Sequence, residues 1–297
     1  MFKNELKRKF KNPFNLLWFI LLPVGWFLGT EIVRTTIDGL KERAVNIANG
    51  QEVSQQMIDH TNDVIKSING FTVFAEGISE FYLPIAIVLL VGLLVSSSFV
   101  YDKNTGFGNF VITRTQFKKY YISKVFSVFL SAFISIFFVL TLVLFASLIV
   151  YSAKAPTEAF NFSMLIDNGA KRLFFSHHWL ACFIMIFTLS VFGGLYALLG
   201  MGVSLITSNR FVVCASPLAI YLFCIIVPQL FSIQAPIAKI IAWIFPMYFT
   251  GIFIGNDFWY TNLPISVTYC IHLAAIAVPA AVLLFFLYRK NAKQYIR

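Results

Sequence analysis

The fold is decided by stretches such as residues 125–151, VFSVFLSAFISIFFVLTLVLFASLIVY, which contain no charged side chain. A helix needs about 20 apolar residues to cross the roughly 30 Å of hydrocarbon in a bilayer. The whole chain has the same character, because 59% of its 297 residues are hydrophobic and only 12% are charged. In soluble domains roughly 45–50% of the residues are apolar and about 25% are charged. The sequence therefore predicts an all-α polytopic membrane protein and excludes a water-soluble enzyme.

Six apolar runs divide the chain, and each is predicted to be a transmembrane helix. They lie at 14–30, 81–101, 125–151, 179–206, 211–231 and 265–288. The polar segment 31–80 is predicted to form an external hairpin of two amphipathic helices, because apolar residues recur at three- and four-residue spacing on both sides of Asn49-Gly50. Residues 152–178 form a second external loop, and 207–210 form a cytoplasmic turn.

The charges predict which side of the membrane each loop occupies. With six spans, one side holds fifteen of the 23 Lys and Arg but only two acids, Glu5 and Asp102. The positive-inside rule places that side, with both termini and the tail 289–297, in the cytoplasm. The basic leader 1–13 carries apolar residues at four-residue spacing and is predicted to lie as a helix on the inner membrane surface, so membrane lipid is an expected partner. A simple topology signal explains the same charges.

A seventh apolar run, 237–255, is long enough to cross but contains Lys239 and Pro246. A full crossing there would move the basic C-terminal tail to the outside, against the positive-inside rule. We therefore predict that 232–264 forms a re-entrant helical pair that enters from outside and packs against protein.

Several kinds of chemistry have no motif in this chain. It lacks a G-x-x-x-x-G-K-[ST] loop for nucleotide phosphates and an H-E-x-x-H zinc motif, and its four cysteines lie inside apolar runs. No catalytic residue, metal, resident cofactor or nucleic-acid partner is expected. No Asp or Glu falls within the six predicted spans, whereas ion-coupled carriers usually hold ionisable groups at depth. Any uphill transport would then be powered by a separate subunit.

The loop between the second and third spans, 102–124, is the most informative segment. Its sequence is DKNTGFGNFVITRTQFKKYYISK, in which cations alternate with aromatic and aliphatic residues. A loop that only faced water would not need Phe107, Phe110 or Phe117. The pattern favours a short amphipathic helix that docks into a groove on another protein, although a basic loop with interfacial aromatics also fits.

This loop resembles the cytoplasmic coupling loop of ABC-2-type transporter permeases. The acid at the end of the second span, Asp102, stands where Glu is commoner, and Gly106 fits the pattern. Phe107 departs from the usual Thr, Phe110-Val111-Ile112 replaces a leucine-rich triplet, and Arg114 and Lys124 fit. The interfacial N-terminal helix, the six spans and the re-entrant pair agree with the family's layout, so the likeness covers nearly the whole chain.

The resemblance implies a permease that pairs with a second copy or a paralogue in a bacterial cell membrane. Two cytoplasmic ABC ATPase subunits would bind ATP and Mg and push the 104–120 element, which continues at Lys124 into the third span. The residues implied in this contact are Asp102, Gly106, Phe107, Phe110, Val111, Arg114, Phe117 and Lys118. Glycines such as those in Gly25-x-x-x-Gly29 and Gly200 offer close helix packing within or between copies.

The same resemblance implies a transport pathway between the second and fifth spans. Candidate lining residues are Pro84, Ser96, Ser97, Pro217, Tyr221 and Pro228, and the prolines are expected to kink these helices. The apolar surroundings suit hydrophobic or amphipathic cargo, and the layout is similar to exporters of amphipathic bacterial peptides. Two other classes stay open: a non-transporting scaffold or immunity protein that recruits a partner through the same loop, and a passive channel.

Overall fold

The computed structural model describes residue 7 and residues 16–48, 68–79, 82–156, 173–204, 206–230 and 265–295. Within these ranges the chain is helical and contains no β-strand. The prediction of an all-α fold is confirmed for this part of the chain. The predicted interfacial helix 1–13, apart from Lys7, and the predicted re-entrant segment 232–264 lie outside the described residues.

The first helices in chain order are α1 (Leu16–Ala48), α2 (Gly70–Ser79) and α3 (Tyr82–Val91), which continues through a π-helix (Gly92–Ser96) into α4 (Ser98–Asn104). A short helix α5 (Phe107–Arg114) then precedes α6 (Phe117–Tyr151). The last helices are α7 (His178–Val203), α8 (Arg210–Leu230) and α9 (Ile265–Tyr295).

Three helical stretches among the described residues are long and apolar enough to cross a membrane: Tyr82–Asn104, Phe117–Tyr151 and His178–Val203. They coincide with the predicted second, third and fourth spans. Shorter apolar stretches, Leu17–Glu31 and Arg210–Phe223, overlap the predicted first and fifth spans. A stripe of exposed apolar side chains also follows α6, including Phe126, Phe138 and Ile149, which is 84% exposed. Such a surface fits hydrocarbon, and the chain is accordingly a membrane protein.

Helix α7 lies at the centre of the bundle and packs against α6, α8, α9 and the π-helix. Its glycines allow close approach: Gly193 meets Ile136 of α6, and Gly200 meets Ser96 and Pro217. Gly25 of α1 lies against Ala86 of α3 in the same way. These glycines are therefore used for packing within one chain, one of the two roles that the sequence left open.

The helix ends meet in two groups. At one end the amide of Gly70 donates to the carbonyl of Ser152 over 2.8 Å, and the Phe71 ring packs edge-on against Trp179 at 4.9 Å. At the other end the side-chain amide of Asn104 donates to the backbone carbonyl of Ser208 over 3.3 Å. Segments predicted to share a side of the membrane thus lie at the same end of the bundle.

The predicted external hairpin needs correction at both of its ends. Helix α1 passes through the predicted boundary at residue 30 without a break and continues to Ala48. Residues 70–79, assigned to the aqueous hairpin, form the buried helix α2, because Phe71, Phe74 and Ile78 pack into the core. The break predicted at Asn69-Gly70 is real, since the Asn69 side chain accepts hydrogen bonds from the amides of Phe71 and Thr72 at the start of α2. Residues 49–67 lie outside the described part.

Other boundaries also shift. Helix α6 begins at Phe117, eight residues before the predicted third span, and α9 continues through the predicted tail to Tyr295. Two acids that lie outside the predicted spans are buried in the protein: Glu76 in α2 is 8% exposed, and Asp102, just after the predicted second span, is fully buried. The irregular point of that span is the π-helix, not Pro84, which lies in the first turn of α3 where proline is tolerated.

Candidate functional site

The loop between the second and third spans folds as a separate helix, α5, because special backbone geometry ends the helices on both sides of it. Gly106 precedes α5 with φ 72°, a left-handed conformation that favours glycine. After α5, Thr115 and Gln116 are extended, and the Thr115 hydroxyl donates to the Val111 carbonyl over 2.9 Å. The short amphipathic helix predicted from the sequence is present, but it is not continuous with α6.

A buried ionic group holds this region together. The Lys124 ammonium of α6 lies 2.5 Å from the Asp102 carboxylate of α4, and both side chains are fully buried. The Tyr120 hydroxyl donates to the same carboxylate oxygen over 3.0 Å. We call Asp102, Tyr120 and Lys124 the Asp102 cluster. It joins the end of the second span to the start of the third, and the paired charges offset each other's desolvation.

Helix α5 rests on the Asp102 cluster through Gly108. A Cβ atom at this position would lie 3.5 Å from the Asp102 carbonyl oxygen and 3.6 Å from the Tyr120 hydroxyl, so the helix backbone runs directly over both groups. Val111 and Ile112, on the same side of α5, are half-buried against the core. The inner face of α5 therefore packs against both α4 and α6.

An aromatic cluster, made of Phe99, Phe117, Tyr121 and Tyr288, braces the same end of the bundle. Phe117 stacks on Tyr288 of α9 with ring centroids 5.6 Å apart, and Phe99 meets Tyr121 edge-on at 6.1 Å. The Tyr121 hydroxyl donates to the Leu284 carbonyl over 2.6 Å. Four packed rings leave little freedom for rotation, so α4, α6 and α9 should behave as one rigid base beneath α5.

The outer side of α5, unlike its buried inner side, is exposed. Phe107, Phe110 and Arg114 point outwards, and we call them the docking face. Phe107 is 37% exposed and Phe110 is 54% exposed. The Arg114 guanidinium lies 4.2 Å from the centre of the Phe110 ring, a cation–π contact. Exposed aromatics beside arginine are typical of the residues that dominate binding energy at protein interfaces.

The predicted cytoplasmic turn 207–210 lies against the same region. Besides the bond from Asn104 to Ser208, the Arg210 side chain donates to the Ser97 hydroxyl over 3.4 Å. Its guanidinium also lies 5.2 Å from the centre of the Tyr101 ring. The end of α4 is thus held from two directions, by the Asp102 cluster and by the turn before α8.

The structure separates the predicted coupling residues into two groups. Phe107, Phe110, Arg114 and Lys118 are exposed, as a contact with a partner requires. Asp102 is inaccessible, because its carboxylate is used within the chain, and Val111 and Phe117 face the core or α9. Gly106 shapes the turn. Asp102 is therefore better described as a group that positions α5 than as a contact residue.

The predicted pathway residues whose side chains the structure describes are packed inside the helix bundle. Pro84, Ser96, Ser97, Pro217 and Tyr221 are all buried. Ser96 and Pro217 close on Gly200, and Tyr221 meets Tyr196 edge-on at 6.1 Å. The side chain of Pro228 lies outside the described residues.

Sequence reasoning missed Tyr120 and the burial of Lys124. Lys124 was counted among the cytoplasmic charges, yet it has no exposed surface. The available signal was an acid at the end of one apolar run and a cation at the start of the next. Their pairing across 22 residues depends on the antiparallel course of α4 and α6, which local pattern does not specify.

Comparison with protein-family models, with curated proteins and with solved structures finds no match for this chain. Among the residues that the structure describes, no group of three or more His, Cys, Asp or Glu side chains lies close enough together to hold a metal ion. The geometry of α5 is an exposed apolar and cationic helix face above side chains that are packed against α4, α6 and α9.

Proposed function

We propose that the chain is the transmembrane permease subunit of an ATP-driven ABC exporter, powered by a separate cytoplasmic ATPase that binds the docking face. The observation that carries the proposal is the two-sided character of α5. Its inner face is fixed to the ends of two spanning helices through Gly108 and the Asp102 cluster, and its outer face leaves Phe110 and Arg114 available to a partner.

In this proposal the full chain has six spans, an interfacial N-terminal helix and a re-entrant pair at 232–264, with both termini in the cytoplasm of a bacterial cell. The grouping of helix ends supports the orientation, because the basic segments around Arg114, Arg210 and Arg289 belong to one end of the bundle. Two ATPase copies, carrying ATP and Mg, and a second permease copy or paralogue complete the exporter. Cargo is hydrophobic or amphipathic, as the apolar helices suggest, and a peptide is favoured because the layout resembles exporters of amphipathic bacterial peptides.

The mechanism that the geometry supports is mechanical. Movement of an ATPase surface bound to Phe107, Phe110 and Arg114 would displace α5. Because α5 is separated from α6 by the extended residues Thr115 and Gln116, the displacement would pass sideways into α4 and α6 at the Asp102 cluster. This route replaces the continuous lever expected from the sequence. A buried, hydrogen-bonded charge pair suits the role, since it resists separation in a low-dielectric surrounding.

The test is to purify the chain from its native membranes, identify associated proteins that carry a P-loop, and measure ATP hydrolysis by the purified assembly. Replacement of Phe110 by Ala should lower the amount of bound ATPase at least tenfold, as expected for an aromatic interface residue worth about 2 kcal/mol. Phe138→Ala is the matched control, because Phe138 is equally exposed at 54% and its ring contacts Phe19 of the same chain, as the Phe110 ring contacts Arg114. Phe138→Ala should leave the ATPase bound.

Three results would count against the exporter. A folded chain that recovers no ATP-hydrolysing partner from native membranes would favour a scaffold. Equal loss of partner in the Phe110 and Phe138 variants would show that the docking face is not the contact. Solute conduction by the chain alone in liposomes, without ATP, would indicate a channel.

A further inference from the structure

A groove of about 470 Å³ runs between the start of α6 and the last turns of α9, at the same end of the bundle as the docking face. Apolar and aromatic side chains of both helices form its walls, among them Ile122, Phe126, Ala281, Phe285, Tyr121 and Tyr288. The walls are joined by the hydrogen bond from the Tyr121 hydroxyl to the Leu284 carbonyl. The groove is therefore a fixed feature of the helix pair.

The groove lies where a membrane helix passes from hydrocarbon to headgroups. Helix α6 has 35 residues and is about 52 Å long at 1.5 Å per residue, well beyond the roughly 30 Å of hydrocarbon. Its first turns, which carry Lys118 and Ile122, therefore extend towards the interface. The exposed Phe126 and Phe285 side chains beside them face outwards from the bundle, as lipid-facing residues do.

One cation lines the groove, and a second packs over a ring that lines it. Lys118 of α6 is exposed and lines the groove. Arg289 of α9 is also exposed, and its guanidinium lies 4.7 Å from the centre of the Phe285 ring, which forms part of the opposite wall. An apolar groove flanked by two cations is complementary to a molecule with a long apolar tail and a negatively charged head.

We propose that this groove binds an anionic phospholipid of the inner leaflet, with an acyl chain along Ile122 and Phe126 and the headgroup between Lys118 and Arg289. Within a bilayer the acyl chain gains little by leaving neighbouring lipid for an apolar groove, because both surroundings are equally apolar. Selectivity therefore comes from the headgroup charge. Each basic residue near the membrane surface raises the affinity for an anionic headgroup roughly fivefold, which is about 1 kcal/mol converted at 1.4 kcal/mol per tenfold. The site is independent of whether the chain exports anything.

The test uses the purified full-length chain in detergent, titrated with dioleoyl phosphatidylglycerol or with dioleoyl phosphatidylcholine, whose acyl chains are identical. Native mass spectrometry counts the lipids bound and gives the dissociation constants. We expect the anionic lipid to bind more tightly by about 25-fold, the product of two fivefold effects. The Lys118→Gln/Arg289→Gln variant should abolish that preference.

Two further variants separate a built site from general attraction. Lys103→Gln/Lys119→Gln removes two exposed cations from the same end of the chain without touching the groove walls, and should keep the preference. Ala281→Trp fills the groove while both cations remain, and should weaken binding of the anionic lipid at least tenfold. Equal binding of the two lipids, or unchanged anionic binding in Ala281→Trp, overturns the proposal. A two-chain mass that is lost only in Ala281→Trp would assign the groove to a second copy and overturn it as well.

Discussion

Replacement of Lys124 by Met is the most informative perturbation of this fold, because it removes one charge from a fully buried pair. The Asp102 carboxylate would keep the Tyr120 hydroxyl at 3.0 Å but lose the ammonium at 2.5 Å, and no water reaches either side chain. Leaving one member of a buried ion pair without its partner costs about 3–5 kcal/mol. Asp102→Asn should cost a similar amount, because it leaves the Lys124 ammonium uncompensated.

The double variant Asp102→Asn/Lys124→Met provides the decisive comparison. It restores a neutral interior in which the amide can still bond to Tyr120, and replacement of a whole buried pair by neutral groups is often nearly neutral for stability. We expect thermal unfolding in detergent to fall by at least about 6 °C in each single variant, from roughly 2 °C per kcal/mol, and to recover most of that in the double variant. The exposed cation control, Lys119→Met, should shift unfolding by about 1 °C or less.

The same variants test whether the Asp102 cluster positions α5. If it does, Lys124→Met should increase tryptic cleavage after Arg114, because a helix that loses its support opens more often. The reasoning is refuted if the single effects simply add in the double variant, since additivity means that the two side chains do not interact. Faster cleavage at Arg114 in Lys119→Met would likewise show that the effect is not specific to the cluster.

Two further predictions concern glycines. Gly200→Ala should cost about 1–3 kcal/mol and lower the unfolding temperature by a few degrees, because its Cβ would lie 2.5 Å from the Ser96 hydroxyl and 2.7 Å from the Pro217 ring. The control Gly39→Ala, whose Cβ would have nothing within 4 Å, should leave stability unchanged or raise it. Equal effects of the two variants on thermal unfolding would contradict the helix packing. Gly106→Ala should lower the free energy of unfolding by about 1–2 kcal/mol through the φ of 72° alone, since the surrounding space is open. Gly106→Asn should lower it less in the same unfolding assay. An alanine variant as stable as the parent would contradict the left-handed turn.

Hydropathy located the central helices well and their ends poorly. The runs 81–101, 125–151 and 179–206 all correspond to helices, because burial in hydrocarbon demands continuous apolar sequence. Hydropathy marks the membrane's depth, however, and not where a helix stops. Lys118, Lys119 and Tyr120 are good enough helix formers for α6 to continue through them towards the interface, so the helix begins eight residues before the predicted span.

The helix α2 shows a different limit. Its ten residues are too few to cross a membrane, so they were assigned to the aqueous hairpin with the polar sequence before them. Apolar stretches of that length are more often buried core helices, and Phe71, Phe74 and Ile78 recur at the spacing of one helix face. The signal was present, but it needed to be considered separately from the polar residues of 31–68.

At the candidate site, the residue types predicted which side chains are exposed, but they did not predict the buried pairing of Asp102 with Lys124. Phe107, Phe110 and Arg114 were expected on a docking surface because aromatics and cations alternate in a short loop, and all three are exposed in the structure. The burial and pairing of the Asp102 carboxylate depend on Lys124 and Tyr120, which reach it only when α4 and α6 lie beside each other. Tertiary pairs of this kind are not specified by any local period.

The closed packing of the predicted pathway limits which elements can move in the proposed transport cycle. Gly92 of the π-helix lies directly against the Cys214 carbonyl of α8, and Ser96 and Pro217 both close on Gly200. Passage of cargo between the second and fifth spans would require this contact to part. The π-helix lies immediately before α4, whose end carries Asp102, and π-helical segments occur frequently at functional sites. A displacement of α5 would move the joined ends of α4 and α6 together and reach the closed contact through α4 and the π-helix, which makes the π-helix the point at which the second span would bend in the proposed exporter.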